Sequence, residues 1–471
     1  MTLFKKFVRY QNRIALISKK TGNITYKKLN EILNNLKSNI PERSLILLIS
    51  ENNVASIISY IFSIKNNSAI IIVDIKTSEI DTLKLIQKYQ PSYLIIPKNY
   101  SKKFFKKQYE YLNDLYDVTI FKTKNKKKIL LHKDLNVLLP TSGSMGTPKL
   151  VKLSKKNLKS NTDSIIKYLK IKKVDRSITN MPFSYIYTIS IINTFLESGA
   201  SIYVTSNSVV SKEFWNEFKK NKITSLNGVP YIYEILIKLG LEKIHSKYLK
   251  TLTQAGGKLK NELLEKIIFF CKKKKINFYS MYGQTEASPR MTYLDWKYCE
   301  KKLGSIGKPI ANSKIWLEDN NKREIKNSFI TGELIYKGKN VCLGYSYKSS
   351  DLSKGDENKG ILRTGDLGYF DKQGFLYITG RKSRLIKIFG TRYNLDELES
   401  KMKKMRFDIV CKELSSNLCI FYEKNYKKKI ILENLSKITN QHITAFNCFK
   451  IEKFPRSANG KIQYSKLNVN A

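Results

Sequence analysis

Lys149 lies within a stretch from Pro140 to Ser154, PTSGSMGTPKLVKLS, in which an apolar run opens into Thr141, Ser142, Gly143, Ser144, Gly146 and Thr147. Glycines let backbone amides approach an anion, hydroxyls add donors, and a lysine adds positive charge, so the stretch reads as a phosphate-cradling loop. It is not the Walker pattern: Gly143 to Lys149 does not fit it, and Pro148 stands just before the lysine. A second cluster, MYGQTEAS (281–288), sets Tyr282, Gly283, Thr285 and Glu286 at what reads as a strand end. A third, ILRTGDLGYFDKQGFLYITGRKSRLIKIFGTRYNLDELE (361–399), carries Asp366 and Arg381. The fourth, FPRSANGKIQYSKL (454–467), places Lys461 behind Gly460.

Taken in order and approximate spacing, these four stretches resemble the core motifs of the adenylate-forming superfamily. That superfamily includes acyl-CoA synthetases, peptide-synthetase adenylation domains and firefly luciferase. The resemblance covers essentially the whole chain, and ITYKKLNEILNNL (24–36) looks like the superfamily's opening helix. It implies an AMP-forming ligase that uses ATP and Mg²⁺ to convert a small carboxylic acid to an acyl-adenylate, and then to a thioester. Thr141, Ser142, Gly143, Ser144, Gly146, Thr147 and Lys149 would hold the β,γ-phosphates as pyrophosphate leaves. Gly256 and Gly257, in QAGGKL, would lie flat against adenine, with Tyr282 stacking and Gly283 beside it. Thr285 would contact the α-phosphate, and Glu286 would bind the metal, a hard cation that wants oxygen ligands. Asp366 would accept from both ribose hydroxyls, as a carboxylate's two oxygens allow, and Arg381 would approach the ribose and mark a hinge. Lys461 would bridge carboxylate and α-phosphate, two anions that repel without a cation between them.

Departures from the pattern are informative. Ser383, followed by Arg384, stands where the family commonly has an acidic residue two places after the hinge arginine. In MPFSYIYTISIINTF (181–195), Tyr185 replaces a frequent histidine and Thr188 a frequent glycine. The C-terminal segment is shorter than the family's usual small domain.

Amino-acid-activating relatives clamp the substrate ammonium with an aspartate, whereas Ser177 to Ala200 contains no Asp and one acid, Glu197. A buried ammonium without a partner is costly, so an acid lacking an α-amine is expected. Tyr185, Asn227 and Gly228, with Tyr187 and the rest of NGVPYIY, could line its pocket or equally form ordinary core. With no carrier domain in the sequence, the acceptor is expected to be coenzyme A or the phosphopantetheine arm of a separate carrier protein. The competing readings are a ligase that loads such a carrier, a nucleotide binder without catalysis, and a basic nucleic-acid-binding protein.

Elements that position these residues can be read from the pattern. SLILLIS (44–50), SAIIIVDI (68–75) and SYLIIP (92–97) alternate with helical stretches at 53–67 and 79–90, and the pattern resumes at 201–206, 223–230 and 276–283. Such alternation predicts an α/β fold with mostly parallel sheets flanked by helices. From about residue 300 the pattern changes to turn-separated, more antiparallel β segments, and after Arg381 to a short α+β stretch. The expected organisation is an N-terminal domain over 1–382, β-rich from about 300, and a C-terminal domain over 383–471.

The formal charge of +47 arises mostly from lysine spread along all 471 residues, which reads as a solvated surface rather than a nucleic-acid footprint. Six cysteines stand singly and three histidines lack metal-ligand spacing, which suits a reducing compartment and leaves little scope for a zinc site. Neither a signal-peptide core nor an apolar run of membrane-spanning length is present, so a cytoplasmic protein is expected.

Overall fold

The computed structural model describes residues 3–100, 109–124, 129–141, 149–244, 246–388, 391–414, 417–456 and 462–468. It is an α/β protein that divides into two compact units. Of the described residues, the first holds those up to Lys314 together with Lys337–Leu362, and the second holds Ile315–Tyr336 with those from Arg363 onward.

Two sheets build the first unit. The larger has nine strands in the order Lys308–Pro309, Arg290–Leu294, Asn277–Gly283, Thr251–Gln254, Ser225–Gly228, Arg176–Ile178, Ser201–Tyr203, Ile14–Ser18 and Gly22–Thr25. Its six central strands run parallel and its outer pairs antiparallel. The second sheet has eight strands, with Leu135–Thr141, Ala69–Asp74, Leu45–Ser50 and Tyr93–Pro97 parallel at its centre. LILLIS is buried along its whole length, as expected of a strand covered on both faces.

Two helices are buried around almost their full circumference. Val54–Lys65 is buried from Val54 through Ile64, and Ile186–Glu197 at every position. A helix without a polar face belongs inside a protein, and these two are joined by a 2.9 Å hydrogen bond from the Tyr60 hydroxyl to Asn193. The opening helix runs over Tyr26–Asn39, capped by Thr25. Its first residue donates through the phenol to the carbonyls of Leu196 and Ala200, at 3.0 and 2.6 Å.

In the second unit, a five-stranded sheet includes the antiparallel pair Ile361–Phe370 and Leu376–Arg381. Further on, Ile409–Leu414, Asn417–Tyr422 and Phe446–Lys450 form a three-stranded sheet. The helices Leu395–Lys404 and Lys428–Thr439 contribute Leu398, Met402, Ile431 and Leu435 to one core with it.

The strands Arg176–Ile178 and Thr251–Gln254 and the hairpin of Ile14–Ser18 with Gly22–Thr25 escape the sequence reading, since three to five residues carry too few periods to register. All six cysteines are buried and unpaired. Among the described residues, no helix is long and apolar enough to cross a membrane.

Candidate active site

Strand Leu135–Thr141 pairs antiparallel with Lys149–Ser154, and Thr141 opposite Lys149 closes the register. The phosphate-loop candidates Ser142, Gly143, Ser144, Gly146 and Thr147 lie outside the described residues, as does Lys461, and Thr141 is described in its backbone alone. Lys149 is described. Its Nζ sits 3.7 Å from the ring centroid of Tyr345, and the Tyr345 hydroxyl donates to Glu286 Oε1 at 2.9 Å.

Strand pairing explains the meeting. Gly344–Ser346 runs antiparallel beside Lys149–Ser154, with Tyr345 opposite Val151. The preceding residues are stitched to the Glu286 segment: Cys342 N donates to Glu286 O at 2.8 Å, and Asn340 Nδ2 to the carbonyls of Ala287 and Arg290. Burial, helped by the neighbouring Glu286 charge, pushes the Tyr345 phenol well above its ordinary value, so it stays a donor.

No group of three His, Cys, Asp or Glu side chains suited to a metal occurs among the described residues. Glu286 is half-buried, and no described residue donates to its Oε2. A lone carboxylate oxygen suits Mg²⁺, which is usually held by one or two carboxylates plus substrate phosphates.

The carboxyl ends of three parallel strands converge nearby, with Gly228 level with Gln254 and Gln254 level with Ser280. Ligands of open α/β sheets bind beyond such ends. Gly256 follows with φ +87°, where a Cβ would lie 2.4 Å from the Tyr185 hydroxyl oxygen. Gly257 accepts at 2.7 Å from Gln254 Nε2. Tyr282 is half-buried, and a Cβ on Gly283 would fall 1.6 Å from the carbonyl oxygen of Pro289. Gly256 and Gly257 thus sit on the same sheet edge as Tyr282 and Gly283, with Tyr185 over Gly256.

Other pocket candidates are held in the interior. Asn227 donates to Ser177 Oγ at 3.0 Å and accepts from Thr253 Oγ1 at 2.6 Å, so its amide belongs to the sheet. Gly228 packs against Tyr233 and Ile232. Tyr187 is buried with its hydroxyl 2.6 Å from Thr253 Oγ1, and Glu197 accepts from Phe4 N at 2.7 Å.

In the second unit, Asp366 and Arg381 face each other across the antiparallel ladder, with Arg381 Nε 2.9 Å from Asp366 Oδ1. The carboxylate is buried and the guanidinium mostly exposed. The turn Lys382–Arg384 follows. Lys382 pairs with Glu333 at 2.7 Å. Arg384 bonds Asp396 at 2.8 Å, Glu399, and the carbonyl of Cys411 at 2.6 Å, and stacks 4.1 Å from the Tyr464 ring centroid. The positive charge next to Ser383 is therefore neutralised by the helix Leu395–Lys404. Arg456 and Ile462 form an antiparallel bridge flanking the segment that carries Lys461.

Sequence reasoning did not find Tyr345, nor the asparagines Asn157, Asn161 and Asn340 that tie the motif segments together. It also passed over Lys152, whose signal was a lysine inside the otherwise apolar LVKLS, and Arg290, just after the 281–288 motif.

The model of the family described as AMP-binding enzyme matches residues 3–346. The chain belongs to the AMP-binding enzyme family. Among its relatives, this family member is 27% identical over 346 residues to oxalate–CoA ligase of Saccharomyces cerevisiae, covering 70% of this chain and 62% of that one. To 2-succinylbenzoate–CoA ligase of a Geobacillus species it is 26% identical over 345 residues, covering 71% and 68%. O-succinylbenzoate coenzyme A synthetase of Bacillus subtilis, solved with ATP and magnesium ion, superposes with a TM-score of 0.78 at 20% identity over 99% of each chain. At that identity, the likeness shows the fold.

Proposed function

We propose that this protein is an ATP-dependent acid–thiol ligase that makes an acyl-adenylate and passes the acyl group to coenzyme A. The observation that supports this reading is the Lys149–Tyr345–Glu286 chain, in which the lysine read as the phosphate-binding cation and the glutamate read as the metal ligand meet from distant stretches through one tyrosine. Both relatives are named as CoA ligases of carboxylic acids, which supports coenzyme A over a carrier protein.

On this reading a carboxylate oxygen attacks the α-phosphorus and the bond to pyrophosphate breaks. A thiol sulfur then attacks the acyl carbon, the thiol proton goes to solvent, and AMP leaves. Lys149 and the residues Thr141, Ser142, Gly143, Ser144, Gly146 and Thr147 hold the departing phosphates, and Thr285 the α-phosphate. Gly256, Gly257, Tyr282 and Gly283 form the adenine shelf. Asp366 takes the ribose hydroxyls, with Arg381 holding the carboxylate in place. Lys461 neutralises the charge that builds as the two anions meet. Glu286 would hold Mg²⁺, which would neutralise phosphate charge there. The turn Lys382–Arg384 is the boundary about which a small C-terminal domain would reorient. Six unpaired cysteines support a cytoplasmic setting.

A panel of carboxylic acids scored for ATP- and Mg²⁺-dependent pyrophosphate release tests the proposal, with coenzyme A and a phosphopantetheinylated carrier as alternative acceptors. Acid-dependent release followed by an acyl-CoA product is expected. Release that never depends on the acid would overturn it.

A further inference from the structure

Of the 86 lysines and arginines in the chain, Lys152 and Arg290 are the two that lie buried among the described residues. Lys152 has its counter-charge: Nζ is 2.8 Å from Glu357 and 3.3 Å from the carbonyls of Asp351 and Lys354. Arg290 does not. It is 3% exposed, its Nε has no hydrogen-bond partner, and it forms no ion pair with a described residue.

Aromatic rings stand where a carboxylate would be expected. The guanidinium carbon lies 4.0 Å from the ring centroid of Tyr187, and its charge also acts on Tyr168 and Tyr185. Burial raises all three phenols, that of Tyr187 to about 12, so these neighbours are neutral. A π face softens the desolvation of a cation without cancelling its charge.

The position is built rather than accidental. Arg290 N donates to Asn161 Oδ1 at 3.2 Å, and its carbonyl accepts from Asn161 Nδ2 at 2.8 Å and Asn340 Nδ2 at 2.9 Å. Three side-chain bonds to one residue's backbone fix where the guanidinium starts. Beside it lies a cavity of about 10 Å³ lined by Tyr187, Ser190, Thr194, Asn227 and Met281. That is room for about one water-sized group, and Met281 is the kind of flexible side chain that yields to a guest. Tyr187 packs between this cavity and Tyr185, their ring centroids 6.3 Å apart, and the Tyr185 hydroxyl lies over Gly256.

We propose that Arg290 is the floor of the acid pocket, and that the substrate is a carboxylic acid bearing a second anionic group, in the simplest case a dicarboxylate, whose distal end reaches the guanidinium. The inference rests on the ligase reading above. An apolar tail would leave the buried cation uncompensated, and a cationic tail would meet like charge. A carboxylate matches the guanidinium fork and makes the stronger, charge-assisted kind of hydrogen bond.

The test uses the full-length protein with α,ω-dicarboxylates from malonate to adipate and with phthalate, each beside its monoamide, which keeps the shape and removes the distal charge. Pyrophosphate release gives kcat/KM, and calorimetry gives acid binding without turnover. The wild-type protein is expected to favour at least one diacid over its monoamide by about a hundredfold. Arg290→Met should erase that preference in both measurements while ATP binding is kept. Wild-type turnover of monoamides as fast as diacids overturns the anion subsite and leaves the ligase reading standing, whatever the variant's folding. A folded Arg290→Met protein that keeps the preference overturns it equally. Failure of every acid, in both series and in monocarboxylate controls, overturns the ligase reading instead.

Discussion

Tyr345 donates its hydroxyl to Oε1 of Glu286 across 2.9 Å, while the face of the same ring carries the ammonium of Lys149. One aromatic side chain thus contacts two groups of opposite charge. Tyr345→Phe keeps the ring under Lys149 and releases one carboxylate oxygen. Groups that orient a metal ligand are typically worth ten- to a hundredfold, so the Mg²⁺ concentration for half-maximal activity should rise about tenfold with little loss of thermal stability. Glu286→Gln should shift it further. Unchanged magnesium titrations in both variants would remove this pair from metal handling.

Lys461→Ala is expected to separate the half-reactions. Adenylation should fall by roughly a hundred- to a thousandfold, about 3–4 kcal/mol, as for the loss of one oriented charge in a partly dehydrated site. Thioester formation from supplied acyl-adenylate should stay near wild type. Equal losses in both steps, measured by pyrophosphate release and by acyl-CoA formation, would make the lysine structural.

Gly256 carries φ +87° and leaves no room for a methyl group beside the Tyr185 hydroxyl. Gly256→Ala should cost about 1 kcal/mol from backbone strain alone and raise the KM for ATP. Adding Tyr185→Phe removes the clashing oxygen but not the strain, so the double variant should recover part of the KM and little of the melting temperature. Full recovery of both would mean that the φ value is immaterial.

Glu399 gives the C-terminal region a pH dependence. Burial raises its carboxyl from 4.5 to about 7, against the opposing pull of Arg384. A folded-state value above the unfolded one means that the folded protein binds the extra proton, so this contribution is full below about 4.5 and lost as pH rises through 7. Melting temperatures of the wild type relative to Glu399→Gln should therefore decline between pH 5 and 8. A flat or rising difference would contradict the assignment.

The motifs were legible because they are strings of unusual residues: glycines and hydroxyls before Lys149, and a carboxylate five places beyond Met281. The sheets were legible wherever apolar runs reached five or six residues, as in LILLIS and AIIIVD. What stayed hidden was partnership. Nothing in the sequence marks Tyr345 among 29 tyrosines; it matters because its strand lies beside Lys149–Ser154, a pairing across some 195 positions. Arg290 was hidden for the opposite reason, since an arginine is ordinarily on the surface and only the folded packing buries it. Asp366 and Arg381 were read separately as ribose contacts, whereas the register of their hairpin makes them one ion pair.

The six cysteines divide evenly, with Cys271, Cys299 and Cys342 in the first unit and Cys411, Cys419 and Cys448 in the second. All are buried, and burial raises each thiol above its ordinary value, to about 12 for Cys299 and Cys342 and about 11 for Cys448. Alkylation needs an exposed thiolate, so the native protein carries a built-in chemical clock: a thiol is labelled only when its surroundings open. Peptide mapping after timed exposure to a maleimide would give each unit its own opening rate, with ATP and acid added or withheld, and no residue would have to be mutated to read it.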